Sequence, residues 1–252
     1  MTLPPVPEPF YWTTSPCGVV LRCRPLDAVA PHLFTTRELP LSSGQDWDRV
    51  AAALGAGRMA MLEQVHGREV VSITRGTPPA PGRPKGDALV SDNPMVAVAV
   101  RAADCVPLLL GDPGTGAVAA VHAGWRGTAA GVATAAVDAL QRTFGVRPST
   151  LVVAIGPSIG PCCYEVGQDV RDAFASAGHG PSIDRWFAGG SLDLVAANRD
   201  QLVRAGVPGA QIHACGLCTA MHLEVLTSYR AEKEKAGRIA AAIRAPGYNP
   251  AL

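Results

Sequence analysis

The centre of the chain contains four short segments that are apolar at nearly every position, and these segments constrain the fold most strongly. Met95–Val100 contains only Met, Val and Ala, and Val106–Leu110, Ala117–Val121 and Leu151–Ile155 repeat the pattern. Turn residues (Gly, Pro and Asp) separate the segments. A strand that is apolar on both faces has to be covered on both faces. The sequence therefore predicts buried strands inside a layered structure.

Helical patterns alternate with these strands only in part. Val132, Ala136, Leu140 and Phe144 recur at intervals of four residues, and Gly145 follows as a typical helix end. Four more helices are predicted, at Trp47–Leu54, Val166–Ala177, Leu194–Ala205 and Tyr229–Ile243. The incomplete alternation predicts an α+β (mixed α/β) fold with layered sheets flanked by helices.

The length of 252 residues is near the upper end for one domain. We predict that residues 1–10 form a flexible tail and that residues 11–252 form a single catalytic domain. The segment 77–86 contains four prolines and two glycines. We interpret it as an exposed loop inside that domain, because the segments on either side of it contribute to one predicted site.

Composition excludes several classes of function and location. The formal net charge of +1 provides no global field for nucleic acid or for an anionic membrane. The first ten residues lack a signal-peptide pattern, and no apolar run reaches the ~20 residues that span a bilayer. Seven cysteines, an odd number in a long chain, argue against a disulfide framework. We therefore expect a cytoplasmic protein that binds neither nucleic acid nor membranes.

Three segments place a potential metal ligand beside unusual backbone chemistry: Gln64–Gly67, Ala103–Pro107 and Val121–Gly127. Their ligands are His66, Cys105 and His122. Two imidazoles and one thiolate are a normal set for a catalytic zinc ion, which keeps its fourth position for water or substrate. Such an ion lowers the pKa of bound water from ~16 towards ~7.

Each of these residues also has an ordinary structural interpretation. A cysteine in a strand is often part of the core, and a histidine beside glycine is often a turn residue. Asp104 favours a functional site, because a carboxylate beside an apolar strand is costly to bury without a partner or a task. Gly124, next to Trp125 and Arg126, allows a close backbone approach and exposes amides that suit an anion such as phosphate. From these residues alone, both interpretations remain open.

Six motifs resemble those of the YfiH/YlmD (laccase-domain) family, in the family's order and over about Phe34 to Arg238. They are Gln64–Gly67, Ala103–Gly111, His122–Gly127, Ile155–Gly160, Cys163–Gly167 and Ser228–Arg230. The resemblance implies zinc bound by His66, Cys105 and His122. It also implies a single-domain mixed α/β fold similar to cytotoxic necrotizing factor catalytic domains, and a monomer.

The activities implied by the resemblance are phosphorolysis of adenosine, inosine and methylthioadenosine, and deamination of adenosine. Purine nucleoside and phosphate would then be the binding partners. Arg37, in Phe34-Thr-Thr-Arg37, matches a family motif and could contact phosphate or sugar through a bidentate fork. Arg126 and Arg230 are further candidates for anion binding. The catalytic candidates are Asp104, Cys105 and Arg37. Asp104 could act as general acid or base, or it could orient a metal ligand without binding the metal itself.

Two departures from the family bear on substrate choice. The family's Gly-Gly pair and Asn-Leu-Gly stretch after the motif arginine are replaced here by Glu38–Gly44. A second family arginine after Arg230 is replaced by Ala231.

Alternatives to the zinc site remain at this stage. A local metal site could form from His213, Cys215, Cys218 and His222, which have zinc-like or redox-like spacing. The adjacent pair Cys162–Cys163 is interpreted as turn or core.

The same histidines and cysteine also suit other chemistry. Cys105 could be the nucleophile of a metal-free cysteine hydrolase, with His122 or His66 as base, as in an amidohydrolase that edits peptidoglycan precursors. The laccase label of the family suggests a copper-dependent polyphenol oxidase. The six histidines include no His-x-His pair, which argues against a full multicopper centre, although one copper ion could occupy the same ligands. A binding module without turnover is the last alternative.

Overall fold

The computed structural model describes residues 2–76, 82–179 and 183–247. Part of the predicted loop at 77–86, residues 77–81, lies outside the described residues. Among the described residues, no helix is both long enough and apolar enough to cross a membrane.

The strands are β1 (Phe10–Ser15), β2 (Gly18–Cys23), β3 (His32–Thr35), β4 (Arg58–Ala60), β5 (Val70–Ile73), β6 (Ala88–Ser91), β7 (Val96–Ala102), β8 (Val106–Gly111), β9 (Val118–Ala123), β10 (Val152–Ile155), β11 (Phe187–Ala188), β12 (Ser191–Leu192), β13 (Ile212–Ala214) and β14 (Ile239–Arg244). The helices are α1 (Arg24–Asp27), α2 (Gly44–Ala53), α3 (Trp125–Ala130), α4 (Val132–Phe144), α5 (Gln168–Ser176), α6 (Ile183–Trp186), α7 (Leu194–Arg204) and α8 (Tyr229–Glu232).

Two six-stranded sheets form the centre of the molecule. The first sheet has the order β1-β2-β3-β14-β7-β4, and the second sheet has the order β13-β10-β8-β9-β6-β5. Both sheets are mostly antiparallel, but β4 pairs in parallel with β7, β5 with β6, and β10 with β13. Strands β11 and β12 form a small separate hairpin.

The core explains why the central strands are apolar on both faces. Val98 of the first sheet and Leu109 of the second sheet belong to the cluster between the sheets. Ala97 and Ala99 alternate to the other face of the first sheet, where they share a cluster with Trp47 of α2. The outer face of the second sheet packs in the same way against helices α4 to α7. The order of layers is therefore helix, sheet, sheet, helices, and the prediction of a single-domain mixed α/β fold is confirmed.

The predicted central strands are all present as β7 to β10. The predicted helix at 229–243 is wrong. Only Tyr229–Glu232 is α-helical, a 3-10 turn follows, and Ile239–Arg244 is the strand β14 in the middle of the first sheet. The Ala- and Lys-rich composition favours a helix locally, but five of the six β14 residues are buried between neighbours on both sides.

Gly131 divides the helical region after His122 into α3 and α4. It has φ = 81°, a left-handed conformation that residues other than glycine adopt only at a cost. The second part, Val132–Phe144, ends at Gly145 as the pattern predicts.

Residues ahead of β1 contact the domain. Leu3 and Val6 pack against the cluster between the sheets, and the Trp12 indole donates a hydrogen bond to the Pro4 carbonyl at 2.8 Å. The mobility predicted for residues 1–10 stays a prediction.

Candidate metal centre

The candidate site lies where several strand ends of the second sheet meet. Strands β6, β9 and β8 are antiparallel neighbours, so the starts of β6 and β8 lie at the same edge as the end of β9. Asp87 directly precedes β6, Cys105 directly precedes β8, and His122 is next to last in β9. The turn with His66 comes shortly before β5, which runs parallel to β6 and so begins at this edge too.

The three predicted ligands come together at this edge. The ligand atoms of His66, Cys105 and His122 all lie within 4.8 Å of one another. The two imidazole rings are 4.9 Å apart between centroids and nearly perpendicular, at 76°. His122 is buried, Cys105 is half-buried and His66 is exposed. An ion held here would therefore have one side open towards solvent.

Asp87 orients both histidines. Its carboxylate accepts a hydrogen bond from His122 Nδ1 at 2.9 Å, which leaves Nε2 of His122 for Cys105 or a metal ion. The same carboxylate accepts the backbone amides of Val65, His66 and Gly67, at 3.3, 3.0 and 2.7 Å. One buried side chain thus fixes the ring of His122 and the turn that carries His66.

The turn at His66 is held in an uncommon conformation. His66 has φ = 59°, in the left-handed region that is costly for residues other than glycine. Besides Asp87, Gln64 restrains this turn: its side chain donates to the Arg101 carbonyl at 2.8 Å and accepts from the Arg101 amide at 2.9 Å. The turn therefore presents His66 at a fixed position.

Gly124 fits the narrow space beside two of the candidate ligands. A Cβ at this position would lie 2.9 Å from Cys105 Sγ and 3.0 Å from His66 Cδ2, closer than ordinary contacts allow. The absence of a side chain lets the chain pass directly behind two of the three candidate ligands. The predicted close backbone approach at Gly124 thus has a specific cause.

The electrostatics of the site favour a charged thiolate. Burial by itself raises the pKa of Cys105, but the hydrogen bonds and charges of His122 and His66 outweigh it and lower the pKa to about 6. Burial likewise opposes the charge of His122, yet Asp87 and Cys105 raise its pKa to about 9. The pKa of Asp87 is lowered, because His122 and the Gly67 amide outweigh its burial. Deprotonated sulfur is the form that binds metal ions.

Asp104 uses both carboxylate oxygens in hydrogen bonds within the protein. Oδ1 accepts from the Thr219 hydroxyl at 2.6 Å, and Oδ2 accepts from the Arg230 amide, also at 2.6 Å. Its backbone has φ = 87°, and its carbonyl accepts from the Ile159 amide at 2.9 Å. Asp104 thus connects three loops around Cys105, which favours a positioning role over proton transfer.

Arg37 contacts the protein with most of its guanidinium. Nη1 donates to the carbonyls of Leu223 and Leu226, and Nη2 donates to Glu232 Oε1 at 2.9 Å. These are the bonds of an arginine that caps carbonyls and holds a loop. Contact of Arg37 with phosphate or sugar, and a catalytic role for it, stay predictions.

Arg230 lies against the Tyr164 ring, and the charges of Arg126 and Cys105 also act on the Tyr164 phenol. The Arg126 guanidinium stacks 4.2 Å above the Trp125 ring, and Arg230 lies 5.0 Å above the Tyr164 ring and donates to the Glu165 carbonyl. Burial and the charge of Cys105 raise the pKa of Tyr164 to about 12, and both arginines partly offset this rise. The structure thus brings two predicted anion-binding residues near the candidate ligands.

The predicted local metal site around Cys215 does not assemble among the described residues. Cys215 is buried in the cluster between the sheets, and Cys218 instead lies with Cys162 and Cys163. Cys162 and Cys163 occupy a turn, as predicted.

Sequence reasoning missed Asp87, Tyr164 and Thr219. Asp87 carried a usable signal, since it is a carboxylate directly before an apolar strand, and Asp104 is placed similarly, two residues before the next apolar strand but one. Tyr164 and Thr219 belong to loops whose position depends on the fold.

Comparisons with known proteins agree with this architecture. The family model described as "Multi-copper polyphenol oxidoreductase laccase" matches residues 34–246. The chain is 38% identical over 236 residues to a protein of Deinococcus radiodurans named purine nucleoside phosphorylase, covering 86% of this chain and 89% of that protein. It is 39% identical over 188 residues to purine nucleoside phosphorylase YfiH of Escherichia coli, covering 72% of each.

Solved structures show the same fold. The crystal structure of Bacillus licheniformis hypothetical protein YfiH has a TM-score of 0.82 at 28% identity and covers 94% of this chain and 99% of that chain. The crystal structure of YlmD from Geobacillus stearothermophilus has a TM-score of 0.79 at 33% identity, with 90% and 96% covered. The chain therefore belongs to the YfiH/YlmD family, the laccase-domain family that its motifs resemble.

Proposed function

We propose that this protein is a zinc-dependent purine nucleoside phosphorylase that also deaminates adenosine. The observation that carries the proposal is the convergence of two imidazoles and one thiolate within 4.8 Å, with one ligand exposed. The names of the relatives support the nucleoside and phosphate as substrates. We also propose that the protein is cytoplasmic and monomeric.

The donor set suits zinc. Histidine and cysteine are its usual ligands, and three protein ligands leave a fourth position for water or substrate. Asp87 supplies the carboxylate that commonly supports a zinc-bound histidine from behind. When bound, zinc would act as a Lewis acid and provide hydroxide near neutral pH. Copper would fit the same ligands, so the metal has to be measured.

In phosphorolysis, a phosphate oxygen forms a bond to C1′ of the ribose while the C1′–N9 bond breaks. The purine leaves with a proton, and ribose 1-phosphate is the second product. Arg126 and Arg230 would hold the phosphate, because guanidinium groups match its oxygens in pairs. Tyr164, which lies against Arg230, provides a flat surface for a sugar or a base.

In deamination, water adds to C6 of adenosine and ammonia leaves, giving inosine. Asp104 would keep the Cys105 loop in place during both reactions, through Thr219 and the Arg230 amide. We assign it a positioning role, since its two oxygens are already hydrogen-bonded.

A metal-free cysteine hydrolase is the second candidate, and one observation favours it. In this alternative, Cys105 is the nucleophile and His122 is the base beside it. Asp87 is the carboxylate that orients His122. The conformation of His66 argues for the metal instead. A catalytic triad needs only one histidine, whereas here three amides hold a second histidine in a strained position.

The first experiment measures metal content by mass spectrometry on tag-free protein and compares wild type, Cys105→Ala and Cys215→Ala. Cys215→Ala is the matched control, since this cysteine lies in the core outside the candidate site. We expect about one zinc per chain in wild type and in the control, and none in Cys105→Ala.

The second experiment follows adenosine and inosine by chromatography, with and without phosphate. Ribose 1-phosphate and free base should form only with phosphate, and inosine should form from adenosine without it. Both activities should disappear in Cys105→Ala and remain in Cys215→Ala. Metal-free wild type whose Cys105 is still alkylated rapidly would refute the zinc proposal and favour the hydrolase. Copper with oxidation of phenols would favour the oxidase.

A further inference from the structure

A second group of potential ligands lies outside the candidate metal centre. The sulfur atoms of Cys162, Cys163 and Cys218 all lie within 4.8 Å of one another, and we call them the tri-cysteine cluster. The Sγ atoms of Cys162 and Cys163 are 3.6 Å apart. Cys162 is exposed, Cys163 is half-buried and Cys218 is buried. The cluster is therefore open to solvent on one side.

Two loops bring the cluster together. Cys162 and Cys163 lie in the turn after β10, and Cys218 follows β13, the parallel neighbour of β10. A backbone bridge between Ser158 and Cys218 joins the loops. The Gly160 amide donates to Cys218 Sγ at 3.2 Å, which stabilises negative charge on this sulfur.

Gly160 also makes room for the sulfur atoms. A Cβ at this position would lie 3.3 Å from Cys162 Sγ and 3.6 Å from Cys218 Sγ. Both sulfurs therefore face the same side-chain-free stretch of backbone. The close approach is built into the loop and does not depend on one cysteine alone.

We propose that the tri-cysteine cluster binds a soft, thiolate-preferring cation, Cu⁺, through three sulfur ligands. Three sulfurs around one ion at ~2.3 Å each would be about 4 Å apart, close to the spacing already present. Only small rotations of the cysteine side chains would complete the site. Thiol protons would leave as the metal binds.

The ligand count favours Cu⁺ over zinc. Structural zinc sites are almost always four-coordinate, whereas Cu⁺ is stable with three sulfur ligands. Within the described ranges, no fourth histidine, cysteine or carboxylate joins the cluster. The His66/Cys105/His122 group differs in having two nitrogen ligands and a carboxylate behind one of them.

Occupancy of the cluster would affect the neighbouring centre. Thr219, directly after Cys218, holds Asp104, and the Ile159 amide holds the Asp104 carbonyl. A cation that ties both loops together would therefore reduce the motion of the segment next to Cys105.

The test is an anaerobic titration with Cu⁺ against bathocuproine disulfonate, using wild type, Cys162→Ser and Cys215→Ala. Cys162 is exposed, so its replacement by serine should leave the fold intact, as circular dichroism can check. We expect the chelator-resistant Cu⁺ to fall by about one per chain in Cys162→Ser only. Copper X-ray absorption should be measured on Cys105→Ala, which lacks the thiolate of the candidate metal centre. The atoms bound to copper in this variant should be sulfur.

Equal Cu⁺ binding by wild type and Cys162→Ser would overturn the proposal, as would a nitrogen- or oxygen-rich shell in Cys105→Ala. A disulfide between Cys162 or Cys163 and Cys218 in protein purified without oxygen, found by mass spectrometry, would also overturn it.

Discussion

Two buried histidines, one in each sheet, show how different partners change the same residue. His122 in the second sheet is 3% exposed and His32 in the first sheet is 1% exposed. His122 faces the Asp87 carboxylate and the Cys105 thiol. His32 Nε2 accepts a hydrogen bond from the Cys23 amide, and Nδ1 is hydrogen-bonded to the Ala30 carbonyl. Both ring nitrogens of the neutral imidazole therefore have backbone partners.

The two pKa values move in opposite directions. At His32, burial outweighs the Ala30 carbonyl and the Asp27 charge 3.5 Å away, and it lowers the pKa to about 4; the charge of Arg22, which pairs with Asp27, also lowers it. At His122, Asp87 and Cys105 outweigh burial and raise the pKa to about 9. Burial alone therefore does not decide whether a histidine is charged. The carboxylate and thiol beside His122 favour its charged form, whereas the backbone groups beside His32 hold a neutral ring in place.

Replacing Asp87 should have the largest effect, because it removes the partner that distinguishes His122 from His32. Asp87→Ala removes the carboxylate that accepts hydrogen bonds from His122 Nδ1 and from the backbone amides of residues 65–67. We expect a loss of about 3–5 kcal/mol in unfolding free energy and a loss of about 100-fold in zinc affinity. Chemical denaturation and zinc-chelator competition measure the two effects.

Asp112→Ala is the matched control. This buried carboxylate accepts from Thr115 and Thr150 beyond the other end of β8. Its loss should lower stability and leave zinc affinity unchanged. Equal loss of zinc affinity in both variants would contradict the role given to Asp87.

The next effect concerns His32 and acid. Its folded pKa of about 4 lies below the ordinary 6.5, so the unfolded chain binds the proton first as pH falls. The stability contribution is complete above pH 6.5 and is lost as pH falls towards 4. We expect a loss of about 3 kcal/mol across this window.

Urea denaturation at several pH values measures this slope. His32→Gln can accept the Cys23 amide without titrating, so its slope should be flatter by one proton. An identical slope in wild type and variant would show that His32 is not the group responsible.

Gly124→Ala should have a smaller effect on stability and a selective effect on the site. The added methyl would meet Cys105 Sγ and His66 Cδ2, and overpacking of this kind costs about 1–3 kcal/mol. Zinc affinity should fall at least tenfold, while the imidazole NMR signals of His32 stay unchanged. Gly44→Ala is the control, because a Cβ there meets no atom within 4 Å.

Thr219→Val should have the smallest effect, since it removes one of two hydrogen bonds to the Asp104 carboxylate. We expect a cost of about 1 kcal/mol in stability and a loss of less than tenfold in turnover. Zinc affinity should match wild type, because Asp104 is outside the group of three candidate ligands. Loss of zinc in this variant would mean that Asp104 controls the ligands directly.

Much of the candidate site could be predicted from the sequence, because its candidate ligands belong to short contiguous motifs. His66, Cys105 and His122 are each next to glycine or to a buried strand, and the structure brings them together. The central strands were predictable for the same reason, since apolar runs with turn residues between them leave few alternatives.

The rest depends on contacts between distant segments. Asp87 gains its role only when the turn at 65–67 folds over it. The segment Ile239–Arg244 resembles a helix in composition, and only pairing with β3 and β7 makes it a strand. Arg37 reaches carbonyls almost two hundred positions away in the chain, a distance that local patterns do not encode.

The place of β14 in the first sheet has a consequence for synthesis on the ribosome. This strand lies between β3 and β7, yet it is made after both of them and after every candidate ligand. Until residues 239–244 leave the exit tunnel, two strand edges that will pair with β14 are exposed. A nascent chain of this kind is open to wrong pairing with other chains, so chaperones that cover strand edges should matter most late in translation.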